Sequence, residues 1–457
     1  MVNFPEIVDR ALNGPILPEK DFDQKIFMPK VAELISKYGI KYDCNKPVPS
    51  DDDLADRVFQ AALDLYTEVG SYCIDSNRTI RFTREEILEG LCDYNKQGFF
   101  GQGIDAKAFP MRTPECAIPP WCSVGACGGA VSSEEVLLSL VRGYASIPLA
   151  DSITTPSLIY VDGKHIRANT PLEVEGSIRN VTLAKDALRR GGRPGLPVVN
   201  GVASATTDVS TIAADGFGLT NEDAWEISAI AEMKINFSVL NKIAYLNRKG
   251  GQQWAATAPI LGGYCGGAEG MAVVQTAYNL QALMVNNAEV HHPFCNHIRY
   301  TANTGRETLW AISVSTQAIT RNSPLPIDYL CYTAAGPMTE MVFYELIAWT
   351  TAAVTSGASI EVAAIALNTT LDHTTPYEPQ FATEVAHAVV GMTRNEANTI
   401  CLKLLDIYEK DLMNPPVGKN YRDCYDIQNS TPTIEYRKFY KKIKKKAKDE
   451  FGVSFKE

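Results

Sequence analysis

Between about residue 110 and residue 390, short apolar segments alternate with amphipathic stretches of about 12–20 residues. Such alternation means parallel strands joined by crossover helices, because a parallel neighbour is reached only by a long return path over one face of the sheet. Strands are expected at Pro120–Val124, Ala150–Thr154, Leu196–Val199, Phe237–Tyr245, Pro259–Leu261, Glu289–Ile298, Ile327–Tyr332 and Ile360–Ala366. The first crossover helix opens at a capping box, Ser132-x-x-Glu135. The next runs from Thr170-Pro171-Leu172-Glu173 to Arg190, where Gly191-Gly192 stops it, and Asp162-Gly163 before it marks a hairpin turn. Further helices are expected over Asn221–Lys234, Ala268–Val285, Arg306–Arg321, Thr339–Ser356 and Phe381–Met392. Eight βα units over about 300 residues predict an α/β fold of the TIM (β/α)8 barrel type, since an open doubly wound sheet more often uses five to seven strands.

Residues 1–100 have a different pattern: helices with an apolar stripe are expected over Gln24–Tyr38, Asp51–Gly70 and Thr83–Tyr94. The chain therefore divides into an N-terminal helical layer, 1–100, a barrel domain, 101–410, and a C-terminal tail, 411–457, packing on the barrel. The tail's Lys-rich run Tyr440–Lys448 is expected as a solvated helix face.

Composition removes several classes of function. The 457 residues carry 43 Lys+Arg against 53 Asp+Glu, a net charge of −10 that repels a polyphosphate backbone. The N-terminus lacks a basic segment followed by an apolar one, and no apolar run approaches the ~18 residues of a membrane span, so a cytoplasmic protein is expected. The 11 Cys include no Cys-x-x-Cys pair, which points to free thiols.

In a barrel the reactive groups belong at the C-terminal strand ends. The loop Gly262-Gly263-Tyr264-Cys265-Gly266-Gly267 precedes a helix, and its glycines let backbone amides approach a ligand, without a nucleotide signature. His291, His292, Cys295 and His297 are a dense set of soft ligands. On an extended segment, however, 291, 295 and 297 share one face and 292 takes the other, so no metal is expected. Glu226 and Glu232, six apart on the expected helix, point in different directions, and Glu307 and Glu340 read as solvated.

Longer motifs carry a resemblance. Gly192-Arg193-Pro194-Gly195, Pro259-Ile260-Leu261-Gly262-Gly263-Tyr264-x-Gly266-Gly267, His297-Ile298-Arg299 and Asn303-Thr304-x-Arg306-Glu307-Thr308-Leu309 occur in that order. They are followed by Ala335-Gly336-Pro337-x-Thr339-Glu340-Met341, Glu384-Val385-Ala386, Gly418-Lys419, Cys424-Tyr425-Asp426 and Thr431-Pro432-Thr433. In these motifs, over nearly the whole chain, the sequence resembles the monomethylamine methyltransferases.

The resemblance implies a homo-oligomeric, typically hexameric TIM barrel that moves a methyl group from a methylated amine to the Co(I) of a separate corrinoid protein. The corrinoid would be carried by that partner, with no tightly bound cofactor on this chain. The family's pyrrolysine falls at Val199 or Asn200, where ordinary residues stand. Its active-site Glu and Tyr match Glu226 and Tyr332, expected as the catalytic pair. A second family Glu is Ala256 here, and a family Gln is Leu330. With Tyr264, Val199 and Asn200 these complete the expected substrate contacts, while Gly262, Gly263, Gly266, Gly267 and Gly336 are expected to face the corrinoid.

Losing a carboxylate and a carboxamide leaves a less polar cavity, which disfavours a small primary ammonium and suits a fully alkylated one held by aromatic faces and a counter-charge. Pyrrolysine-lacking members of the trimethylamine methyltransferase family act on quaternary amines, and the substrate expectation rests on that analogy. Two alternatives remain open: transfer from a methylthiol or methoxy donor activated by zinc at Cys295 and the histidines, and an inactive homologue that binds a ligand or a corrinoid protein.

Overall fold

Parallel strands form a closed ring in the computed structural model, which describes residues 2–200, 206–365 and 370–455. Among the described residues eight strands make the ring: β1 Cys122–Gly125, β2 Ser152–Thr154, β3 Val198–Val199, β4 Trp225–Ser228, β5 Gln253–Thr257, β6 Val290–Pro293, β7 Asp328–Thr333 and β8 Ser359–Ile365. One run has the order β3-β2-β1-β8-β7 and another β4-β5-β6. Parallel bridges Val199↔Ala224 and His291↔Ile327 join the runs at both ends, which closes the barrel. The fold expectation is met.

Among the described residues, four α-helices of ten or more residues precede the ring: α1 Phe4–Asn13, α2 Met28–Lys37, α3 Asp52–Val69 and α4 Arg84–Asp93. A helix follows each strand: α5 Glu134–Ala145, α6 Pro171–Arg190, α7 Asp208–Gly216, α8 Phe237–Lys249, α9 Ala268–Gln281, α10 Arg306–Asn322, α11 Glu340–Thr355 and α12 Tyr377–Ala388. Then come α13 Arg394–Tyr408 and α14 Ile434–Phe451. From the outside α3 packs on α9 and α10, and α13 packs on α11. Nearly every residue of α9 and α11 is therefore buried, as a helix covered on both sides must be. The Lys-rich tail is α14, whose Tyr436, Tyr440 and Ile443 are buried while Lys442 and Lys446 bond Glu340.

The strand ends opposite the expected active face are plugged. A hairpin pairing Phe99–Phe100 with Lys107–Ala108 places Phe100 and Phe109 beneath the ring. Their ring centroids lie 5.5–5.8 Å from those of Trp121 and Trp254, and Val199, Ala224 and Val290 complete this apolar floor.

The sequence reading misplaced two strands. Phe237–Tyr245 is helical, not extended: its buried residues Val239, Leu240, Ile243 and Leu246 follow 3–4 spacing behind the N-cap Asn236. The fourth strand is Trp225–Ser228, inside the stretch expected as helix Asn221–Lys234, and the fifth is Gln253–Thr257 rather than Pro259–Leu261. Ser133, not Ser132, caps α5 through the Val136 amide, and Ser132 instead bonds Asp372. Thr170 makes no side-chain cap, and Glu173 turns inward to accept from Asn169 and Thr207. Ala366, the last residue of the expected eighth strand, lies outside the described residues.

Candidate functional site

Because side chains alternate along a strand, each barrel strand sends every second residue inward. Above the apolar floor these are Glu226 and Ser228 on β4, Ala256 on β5, His292 on β6, Asp328, Leu330 and Tyr332 on β7, and Glu361 on β8. Register fixes their levels: Ala256 is opposite both Ser228 and His292, and Glu361 is opposite both Leu330 and Ser123.

Glu226 is the most connected of the expected residues, and it stands on a strand, not on the helix assigned to it from sequence. Its Oε2 accepts from Asn200 Nδ2 at 3.1 Å, and Cys127 Sγ lies 3.9 Å from the same oxygen. Ser228 Oγ donates to Oε1 at 3.3 Å. Asn200 reaches this carboxylate from a left-handed conformation, φ 58°, a region that Asn tolerates better than most residues. Val199 instead points down into the apolar floor.

Tyr332 is placed by its neighbours. Asn303 donates from Nδ2 to the Leu330 carbonyl at 2.8 Å and accepts the Tyr332 amide on Oδ1 at 2.9 Å, which fixes the end of β7. Behind it the buried Glu345 accepts from Thr304 Oγ1 and from the Ala334 and Ala335 amides, and burial pushes its carboxyl up to about 7. Burial, and then the charges near Cys127, Glu226 and Glu361, raise the Tyr332 phenol, so it stays a neutral donor. Burial raises the Cys127 thiol in the same way. The Phe294 ring lies 6.0 Å from Tyr332 and 6.3 Å from His292, adding an aromatic wall.

Two groups under this pocket, Asp328 and Glu361, escaped the sequence reading, and they meet at His292, which that reading took only as one of a set of soft ligands. His292 Nδ1 is 3.2 Å from Asp328 Oδ2, its Nε2 is 3.4 Å from Glu361 Oε2, and all three side chains are fully buried. Burial opposes a charged His292, but the carboxylates of Glu361, Asp328 and Glu226 outweigh it and hold the imidazole up to about 9. Burial also raises the carboxyls of Asp328 and Glu361. Among the described residues this trio is where imidazole and carboxylate atoms converge within 4.8 Å of one another. Each ring nitrogen faces a different carboxylate, so the ring bridges the pair rather than aiming one lone pair at a shared centre. The period-2 pattern of β6–β8 was the available signal, but it becomes informative only when the three strands are known to be neighbours.

The other soft ligands disperse. His291 points outward, edge-on to Tyr94. Cys295 is buried, with Tyr329 beside its thiol, and His297 stacks on Tyr300 at 4.0 Å. The zinc alternative built on Cys295 and these histidines therefore has no common centre.

The rim residues also differ from expectation. The Gly262–Gly267 turn closes on itself: the Gly262, Gly263 and Gly266 amides bond Gly266, Ile260 and Gly263 carbonyls, so they are not free for a ligand. Gly267 is the N-cap of α9. Tyr264 is exposed, with Lys234 Nζ 5.9 Å from its ring centre. It lines a rim cleft with Glu232, Ile260, Gly262, Gly263 and Ile298, a set that does not include Glu226 or Tyr332. Gly336 is covered by the tail: its amide donates to the Pro416 carbonyl, and a Cβ there would lie 1.6 Å from the Val417 carbonyl oxygen.

A closed eight-stranded barrel with an acidic, aromatic pocket at the carboxyl ends of its strands defines a TIM-barrel enzyme class. Within it the chain belongs to the monomethylamine methyltransferase family, whose model, monomethylamine methyltransferase MtmB, matches residues 2–452. Monomethylamine methyltransferase MtmB3 of Methanosarcina barkeri is 31% identical over 451 residues, 98% of each chain, and MtmB2 of Methanosarcina acetivorans is also 31% identical over 451 residues. The crystal structure of the M. barkeri enzyme matches with TM-score 0.95 and 30% identity over 99% of this chain and 98% of that one. The crystal structure of a hydroxylamine complex of MtmB matches equally well. Among the described residues no helix is long and apolar enough to cross a membrane.

Proposed function

We propose that this protein transfers a methyl group from a methylated ammonium donor to the Co(I) of a cognate corrinoid protein, in the cytoplasm, without pyrrolysine. The observation that carries the reading is the Glu226 carboxylate, oriented by Asn200 and Ser228 in a pocket walled by Phe294 and Tyr332. A carboxylate facing aromatic rings in a partly dry cavity holds an alkylammonium by charge and by cation–π attraction. Methyl transfer to a strong nucleophile asks little more of the protein than alignment of the carbon and exclusion of water. The family supports the reaction class, and a small nitrogen compound, hydroxylamine, is held by one relative. Ala256 and Leu330 remove polar contacts, which favours a quaternary donor over a primary one. Asn200 occupies the pyrrolysine region with a carboxamide that forms no covalent amine adduct. Assembly into a homohexamer belongs to the same proposal.

Glu226→Gln is expected to lower turnover of a cationic donor tenfold or more, because the counter-charge is lost in a desolvated site. Unchanged kinetics would remove Glu226 from the mechanism. Leu330→Gln is expected to weaken a quaternary donor by about 1–3 kcal/mol, since it buries an amide with no partner. The identifying experiment is a donor screen that follows methyl-Co(III) formation on the corrinoid protein. The missing polar groups at 256 and 330 also favour a second reading, a homologue that binds without reacting. Single-turnover mixing with Co(I) cobalamin separates the two, since methyl-Co(III) from any donor excludes an inert role.

A further inference from the structure

Deepening the donor reading above, we propose that Glu361 is a second carboxyl of the donor pocket, clamped by His292 against Asp328, and that a cationic amine is held between Glu226 and Glu361. The geometry comes first. Glu361 is fully buried on β8, and its Oε2 lies 3.4 Å from His292 Nε2, while the opposite ring nitrogen lies 3.2 Å from Asp328 Oδ2 and 3.0 Å from the Asp328 carbonyl. The imidazole thus sits between the two carboxyls as a charge, and its hydrogen bond to the Asp328 carbonyl holds it there. Both Glu361 oxygens are buried without a close hydrogen-bond partner, an expensive arrangement unless a ligand completes it.

Glu361 also belongs to the pocket by its neighbours. Cys127, whose sulfur is 3.9 Å from Glu226 Oε2, and the Tyr332 hydroxyl both feel the Glu361 charge, and Glu226 and Glu361 act on each other. Glu226, Tyr332 and Cys127 are partly exposed toward the mouth, whereas Glu361, His292 and Asp328 are buried beneath them. Glu361 therefore lies deeper in the barrel than Glu226, on the same inward face. The carboxylate missing at Ala256 has a counterpart across the barrel. Charge balance points the same way: with His292 positive and Asp328 negative, two further ionised carboxyls leave an excess of negative charge that a bound monocation reduces. Burial raises the Glu361 carboxyl, so binding a cation beside it drives off the proton that it holds.

The test is calorimetric titration of the full-length wild-type protein with monomethylammonium and tetramethylammonium chlorides, in two buffers of different ionisation enthalpy. Wild type is expected to bind one of them with proton release near neutral pH. Glu361→Gln is expected to lose at least tenfold in affinity and the proton release with it, and Glu361→Asp to recover part of both. Asp328→Asn, which keeps the shape, is expected to shift the pH dependence of binding while retaining the fold by circular dichroism. Glu361→Gln binding within twofold of wild type, with Glu226→Gln impaired, would overturn the proposal and leave the donor reading intact. No binding of any methylated ammonium by wild type would overturn the donor reading itself, and this inference with it. Stoichiometric metal in the purified protein, lost in His292→Gln, would also overturn it, because Glu361 would then be a ligand and not a donor contact.

Discussion

His291 and His292 are consecutive on one strand and occupy two different media. His291 faces the layer between strands and helices, edge-on to Tyr94, and burial alone drives its pKa from 6.5 to about 3. His292 faces the barrel interior, where three carboxylates reverse the burial effect and hold it up to about 9. The outer layer tolerates the imidazole only as a neutral packing group, whereas the interior requires it as a cation. The difference shows where this fold keeps its chemistry: above the floor and inside the ring, and not in the hydrophobic shell that surrounds it.

The sharpest way to break that division is to attack the floor. Trp254 is fully buried against Phe100 and Phe109. Trp254→Ala is expected to cost about 3–5 kcal/mol in urea or thermal unfolding, because the plug cannot collapse around so large a void. A cost below 1 kcal/mol would mean that the floor is not a packed core and that the interior is not divided as described.

The division was partly legible in the sequence. The alternating rhythm carried the barrel, and the motif order carried the family, because both depend on local spacing. The fourth and fifth strands, Trp225–Ser228 and Gln253–Thr257, were displaced because the longer apolar run Phe237–Tyr245 reads as extended, although its buried positions have helical spacing that the Asn236 cap reinforces. Glu226 was found by resemblance and then put on the wrong element. Glu361 and Asp328 were not found, since β8 and β7 contribute one inward carboxyl each and nothing in either strand alone marks it. Gly336 was expected to face the corrinoid, but the tail that covers it is a long-range contact that no local pattern contains, and so is the approach of Lys234 to the exposed Tyr264, which was expected to touch the substrate.

The two histidines give the next test. Below pH 6.5 the unfolded chain protonates His291 and the folded chain, holding it near 3, does not, so its contribution to stability falls as pH falls. His291→Phe removes that dependence. The stability difference between variant and wild type is expected to move in the variant's favour by about 2 kcal/mol between pH 6.5 and 5, at about 1.4 kcal/mol per pH unit. His292 has the opposite sign. Its stabilisation is complete below pH 6.5 and is lost as pH rises toward 9, so His292→Gln should narrow its deficit against wild type over that upper interval. Parallel curves for the two variants would mean that both rings share one environment.

The smallest effect is expected on the surface, where charge is abundant but cheap to lose. Glu340 accepts from Lys442, Tyr344 and Lys446, and those hydrogen bonds hold its carboxyl down near 2. A lowered carboxyl stabilises above its ordinary pKa and loses that stabilisation as pH falls toward 2, so any benefit of the lysines is present at neutral pH. The Glu340 side chain is 35% exposed and Lys442 64%, so water and salt screen most of the attraction. Lys446→Met is therefore expected to cost about 0.3–1 kcal/mol at pH 7 and less in 1 M salt, read from unfolding midpoints. What holds α14 in place is instead aromatic packing, with Tyr440 stacked 4.2 Å from Tyr377 and in contact with Phe343 and Phe381. Tyr440→Ala should exceed Lys446→Met severalfold, and a lysine effect equal to the tyrosine effect would show that the tail is held by its charges after all.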